Sequence, residues 1–118
     1  MPKTTPQETA PQQTSGQATV QTVLAALCDP MRRSALAIVW TGGEHCVCEL
    51  MAHVGATQSR MSRHMKTLRE AGLVLDRRDA QWVRYRRDTD LSPALEAIVK
   101  AVLVAETHMT NNDERKAA

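Results

Sequence analysis

Cys46-Val47-Cys48 sets two thiols one residue apart in mid-chain, and Cys28 supplies a third upstream. Thiolates are soft donors that select thiophilic ions, whereas Mg²⁺ and Ca²⁺ want oxygen ligands. The pair is therefore a candidate soft-ion site, with Cys28 as a candidate third ligand. The plain alternative makes all these sulfurs small apolar fillers of a core, and for Cys28, just before Asp29-Pro30, packing competes directly with the ligand role. A lone histidine such as His45 is expected to be solvated. Three cysteines are an odd number and too few for a disulfide scaffold, so reduced thiols are expected.

Basic chemistry gathers immediately downstream. Between Gln58 and Arg87 nine Lys or Arg side chains face three carboxylates, a local charge of +6 in a chain whose formal total is +2. A solvated charged surface mixes its signs; a one-sign cluster is the footprint of a phosphate-binding face. Trp40, Trp82 and Tyr85 are the only aromatics, too few for a base-stacking platform, so duplex DNA is the expected partner. With 118 residues one compact core is possible and two ordinary domains are not. No stretch approaches the roughly 20 apolar residues that cross a bilayer, and no secretion signal opens the chain, so no membrane contact and a cytoplasmic location are expected.

The elements that must position these groups are mostly helical. Residues 1–18, rich in Thr, Gln and Pro, are expected to be a disordered arm, residues 19–109 the folded domain, and residues 110–118 a disordered polar tail. Val20, Val23, Leu24 and Leu27 fall at i, i+3, i+4, i+7 and predict a first helix. Asp29-Pro30 predicts an N-cap with a first-turn proline, opening a second helix whose apolar face is Met31, Ala35, Ile38 and Val39 and which stops before Gly42-Gly43. A third helix is expected from about Cys48 to Val54 with Gly55 as its stop. A fourth follows, capped by Thr57, running Gln58 to Ala71 and burying Met61, Met65 and Leu68. A short helix, a turn and a longer polar-faced helix form a helix-turn-helix pattern. Gln58, Ser59, Arg60, Ser62, Arg63 and Lys66 are then the expected DNA-facing residues. Leu73-Val74-Leu75 and Trp82 to Arg86 predict a hairpin, joined by a polar link over Asp76 to Gln81, with Arg77 and Arg78 as wing contacts to phosphate. Ser92-Pro93 caps a fifth helix whose stripe Leu95, Ile98, Val99, Val102 and Leu103 is expected to cover a partner subunit as well as the core. The fold class is thus mainly α with a small β-hairpin, a dimeric winged helix-turn-helix.

Four segments in order carry a family likeness: Leu27 to Arg32, Cys46 to Leu50, Gln58 to Val74, and Trp82 to Arg86. Together they resemble the ArsR/SmtB family of metalloregulatory repressors, over roughly residues 20 to 108. The resemblance implies a homodimer that represses a resistance operon and leaves double-stranded DNA when an inducer binds. It further implies a protein that is not an enzyme and has no constitutive cofactor. The Cys-Val-Cys pattern is similar to that of the arsenite- and antimonite-responsive members, which implies As(III) or Sb(III) as inducer and Cys46 and Cys48 as its ligands. Met51 stands where some members have a third cysteine; cadmium and lead sensors add cysteines in the arm, and this arm has none; the Asp/His sites that zinc sensors place on the last helix are not matched, since only Glu106 and His108 stand near its end; and the wing tip Asp79-Ala80-Gln81 lacks the glycine often found there. A thiol redox or persulfide switch on the same fold, linking Cys28 to Cys46 or Cys48, is the alternative. A thiol enzyme is disfavoured, since no Cys-x-x-Cys or acid/base constellation accompanies the pair.

Residues i and i+2 of a regular helix do not face one another. An ion that takes both sulfurs is therefore expected to distort the start of the third helix and, through it, the DNA-reading helix.

Overall fold

Thr19 opens helix α1 (Val20–Ala26), accepting a hydrogen bond from the Thr22 amide while the Thr22 hydroxyl answers the Thr19 amide. In this computed structural model residues 16–117 are described, with side chains through Thr107. The expected arm therefore lies, for residues 1–15, outside the described residues. Its last three residues are docked: the Gly16 amide donates to Arg69 O at 2.7 Å, and Ala18 packs against the core.

Asp29 caps α2 (Pro30–Trp40), its Oδ1 accepting from the amides of Met31 and Arg32 at 2.8 and 3.1 Å. The buried face of α2 is Ala35, Leu36 and Val39, one residue round from the expected stripe, so that Met31 and Ile38 are only half-buried. On α1, Val23 and Ala26 are buried, whereas Val20 and Leu24 stand 56% and 48% exposed. Helix α3 (Val47–Val54) ends on Gly55 in the left-handed region, φ 79°. Thr57 caps α4 (Gln58–Glu70), which buries Met61, Met65 and Leu68 as the periodicity predicts. The two helices and their turn are the helix-turn-helix.

The sheet departs from expectation in two ways. A two-residue strand β1 (His45–Cys46) precedes α3. The hairpin is longer than expected, β2 (Val74–Asp79) pairing along its whole length with β3 (Trp82–Arg87). The link of Asp76 to Gln81 thus shrinks to Ala80 and Gln81, with Ala80 at φ 57°. Charged residues with low strand preference are held in this ladder by ion pairs: Asp76 with Arg69, Arg77 with Glu44, and Asp79 with Arg84. The strand order is β1-β3-β2, all antiparallel.

Helix α5 (Pro93–Ala117) begins with the Leu95 amide donating to Ser92 Oγ at 3.3 Å. Its backbone stays helical past residue 110, where a tail was expected; Glu114, Arg115, Lys116 and Ala117 are good helix formers. Of its apolar stripe only Val99 is fully buried, while Leu95, Ile98, Val102 and Leu103 are half-buried against the core. Among the described residues, the core contains no buried polar or charged residue. At its edge the Arg87 guanidinium lies 4.2 Å over the Trp40 ring and pairs with Glu96, joining β3, α2 and α5.

Candidate functional site

Cys46 is both the last residue of β1 and the N-cap of α3, with extended backbone angles of φ −70° and ψ 148°. That position changes the geometry of the Cys-Val-Cys pair. An N-cap side chain folds back over the first turn to meet the orphan amides there, and the Cys48 amide donates to Cys46 Sγ at 3.4 Å. The Cys48 thiol lies 2.8 Å from Cys46 Sγ, the two being free cysteines. The sulfurs already converge. The premise behind the expected distortion of α3, two sulfurs within the helix, does not hold: only Cys48 lies within α3, and Cys46 reaches it from the cap.

Their electrostatics differ. Burial opposes ionisation of Cys46, but the Cys48 thiol and amide donate to it and Arg84 lends its charge, and the balance holds the Cys46 thiol below the usual thiol range. Cys48 is pushed up, first by donating its proton to Cys46, then by burial and by the Cys46 charge. The pair therefore loses its first proton at Cys46, at a helix N-terminus that favours an anion.

His45 faces acceptors on both sides: Nδ1 meets Glu49 Oε2 at 3.0 Å and Nε2 meets Gly42 O at 2.8 Å. Burial favours the neutral ring, but the hydrogen bonds to Glu49 and Gly42 and the Glu49 charge outweigh it and raise its pKa. Both nitrogens are occupied, so the expected solvated ring is instead a clamp on the thiol segment. Cys28 lies exposed in the turn between α1 and α2 and is not packed in the core of its own chain. Among the described residues no three His, Cys, Asp or Glu side chains gather to hold a metal ion, so Cys28 of the same chain is not brought to the Cys46–Cys48 pair.

The other candidate residues lie on α4 and the wing. Gln58, Ser59, Arg60, Arg63 and Lys66 are exposed on α4 and Ser62 half-exposed, opposite the buried methionines. Arg60 and Arg63 line a groove of about 480 Å³ with Asp29, Arg32, His64 and Thr67 and the apolar Pro30 and Met31. Nothing in the local sequence pattern marks Arg32 as a functional residue. It donates to the α1 carbonyls of Ala26 and Ala25 at 2.8 and 3.3 Å and places Nη1 3.3 Å from His64 Nδ1, tying α1 to α4. No local pattern signals such a contact, since its partners lie six to 32 residues away. Arg78 is exposed on the wing. Arg77, expected to be an open phosphate contact, is engaged by Glu44 through two bonds, Nε to Oε2 at 2.8 Å and Nη2 to Oε1 at 2.6 Å. Glu44 is held below the usual carboxylate range chiefly by that hydrogen bond.

A capped helix-turn-helix with basic residues on its second helix, flanked by a β-hairpin wing, defines a winged helix-turn-helix regulator of transcription. Residues 29–75 match the model of the bacterial regulatory protein, arsR family. The chain is 35% identical over 96 residues to the arsenic resistance transcriptional regulator ArsR1 of Pseudomonas putida, an overlap of 81% of this chain and 75% of that protein. It is 38% identical over 85 residues to ArsR2 of the same organism, 72% of this chain and 74% of that protein. Among solved structures, NolR from Sinorhizobium fredii superposes with a TM-score of 0.58 at 33% identity, covering 70% of this chain and 78% of that one. The chain belongs to the arsR family of bacterial regulatory proteins. No helix among the described residues is long and apolar enough to cross a membrane.

Proposed function

We propose that this protein is a homodimeric repressor of an arsenical-resistance operon, released from its operator when As(III) or Sb(III) is taken by the thiolates of Cys46 and Cys48. The convergence of the Cys46 and Cys48 sulfurs into direct contact at the start of α3 carries this reading. Two soft donors set side by side suit a thiophilic centre, and the relatives named for arsenic resistance support the choice of ion. Gln58, Ser59, Arg60, Ser62, Arg63 and Lys66 face the major groove, and Arg77 and Arg78 meet phosphate. Cys28 of the partner subunit is a candidate third ligand. The half-buried stripe of α5, with the exposed Val20, Leu24 and Val104, is the surface a second copy covers. The inducer acts by favouring a conformation that binds DNA poorly; a coupling of about 1–3 kcal/mol would weaken operator binding roughly 5- to 150-fold.

Operator binding followed by fluorescence anisotropy, with arsenite added, tests this. Cys46→Ser and Cys48→Ser each keep DNA binding and lose release, while Arg63→Ala loses operator binding with the fold retained. Cys28→Ser loses release by inorganic arsenite, but not by a dithiol-reactive organoarsenical, only if Cys28 is a ligand. Normal release from the Cys46→Ser and Cys48→Ser proteins overturns the metalloid assignment. The close sulfurs also favour a thiol redox repressor; release by peroxide, reversed by dithiothreitol and accompanied by loss of two hydrogens from the peptide bearing Cys46 and Cys48, would select it instead.

A further inference from the structure

Cys46, Arg84 and Arg77 form one row across the three strands, Cys46 opposite Arg84 and Arg84 opposite Arg77. Residues directly opposite in antiparallel strands share a face of the sheet, so the thiol segment and two wing arginines lie side by side. Two like charges opposite each other would push the strands apart, and each is met by a carboxylate. Asp79, within the wing itself, accepts from Arg84 Nε at 3.0 Å. Glu44, two residues before Cys46 and outside the wing, takes the Arg77 fork with both oxygens, at 2.8 and 2.6 Å. The planar donor face that suits a phosphate is the one Glu44 occupies.

Magnitude decides what this contact can do. The Arg77 and Glu44 side chains are 39% and 30% exposed, and ion pairs at such places are weak, so DNA phosphate can displace the carboxylate. The pair is then a bias on the wing rather than a lock. Glu44 and Cys46 also belong to the same short segment, clamped by His45 on Gly42 and Glu49. An ion that joins Cys46 to Cys48 removes freedom from that segment, and an interaction made by an already ordered segment has less entropy to lose. Occupied thiols would therefore strengthen the hold on Arg77 and weaken DNA binding, the direction derepression requires.

We propose that Glu44 is a positioning residue that holds the wing arginine Arg77 as an internal competitor of DNA phosphate, and that inducer on the neighbouring thiols tightens this hold. The inducer half rests on the metalloid reading above; the DNA half does not. The test is a double-mutant cycle on operator affinity, with Glu44→Gln, Arg77→Gln and both together, each measured with and without sodium arsenite. Glu44→Gln raises affinity about two- to five-fold, as loss of a weak exposed pair allows. It also lowers the fold-weakening caused by arsenite, while arsenite uptake by the DNA-free protein, followed by its sulfur-to-arsenic absorbance, stays that of the wild type. In the Arg77→Gln background Glu44→Gln gains nothing, whereas mere removal of an acidic charge near DNA would still raise affinity there. Unchanged affinity in Glu44→Gln, or a gain that survives Arg77→Gln, overturns the competition. An arsenite response unchanged by Glu44→Gln overturns its coupling to the thiols. If arsenite fails to release even the wild type, the metalloid reading falls and the arsenite-free cycle still judges the pair.

Discussion

Cys46 receives a thiol proton and an amide proton from Cys48 and the charge of Arg84, while Cys48 gives its proton away. The lowered Cys46 pKa means that its thiolate is present below the ordinary value of 9.0, and the raised Cys48 value means the reverse. Alkylation by iodoacetamide, which consumes thiolate, should therefore strike Cys46 first, with a pH midpoint below that of free cysteine, and Cys48 later. Cys48→Ala should move the Cys46 midpoint upward. Peptide mass spectrometry across a pH series measures both, and equal rates at the two sulfurs would contradict the assigned geometry. On the proposed metalloid reading, uptake at these thiols would displace their protons and so weaken as pH falls. The residue types of this site were legible from Cys46-Val47-Cys48 alone. Their convergence was not, because cysteine is outside the usual N-cap set and a two-residue strand is too short for alternation to register.

Helices α2 and α4 were legible because each carries a start signal, a stop signal and a period, whereas α3 announced only its stop, Gly55. Gly72 shows how tightly the stop of α4 is built. It sits at φ 83°, and a Cβ there would meet the Ala18 amide nitrogen at 2.6 Å. Gly55 has nearly the same φ, 79°, with nothing within 4 Å of such a Cβ. Alanine in the left-handed region costs about 1–2 kcal/mol. Gly55→Ala should lose about that much in urea unfolding followed by circular dichroism, and Gly72→Ala should lose more, since the segment docked on α4 must also move. Equal losses would mean that residues 16–18 contribute nothing to stability. The wing was only half legible: Asp76, Arg77, Arg78 and Asp79 look like a loop by composition, and the contacts that offset their charge, such as Glu44 on Arg77 from 33 residues away, follow no local pattern.

At the scale of the molecule, charge and apolar surface are separated except at Trp82 on the wing. The basic cluster belongs to α4 and the wing, whereas exposed Val20, Leu24 and Val104 lie on α1 and α5. A two-fold dimer through the apolar side would present two α4 helices to successive major grooves. Ile98 also packs on the core, so Val104, 47% exposed, is the cleaner probe. Val104→Glu should yield a folded monomer with poor affinity for a palindromic site, while the wild type sediments as a dimer at micromolar concentration. A monomeric wild type would remove this face from the account. The expectation of a partner-covering stripe on α5 came from its apolar period; which α1 residues join it did not, since Val20 and Leu24 share a period with the buried Val23.

The two tryptophans divide the light this protein emits between two places. Trp82 stands 42% exposed at the wing turn, and Trp40 lies beneath Arg87 where α2, β3 and α5 meet. Tyr85 is the sole remaining aromatic. With excitation on the red edge, where tyrosine does not absorb, replacing Trp40 by phenylalanine leaves tryptophan emission from the wing alone, and replacing Trp82 leaves it from the scaffold joint alone. Movement of the tip can thus be separated in time from movement of the frame, by rapid mixing, with no attached dye.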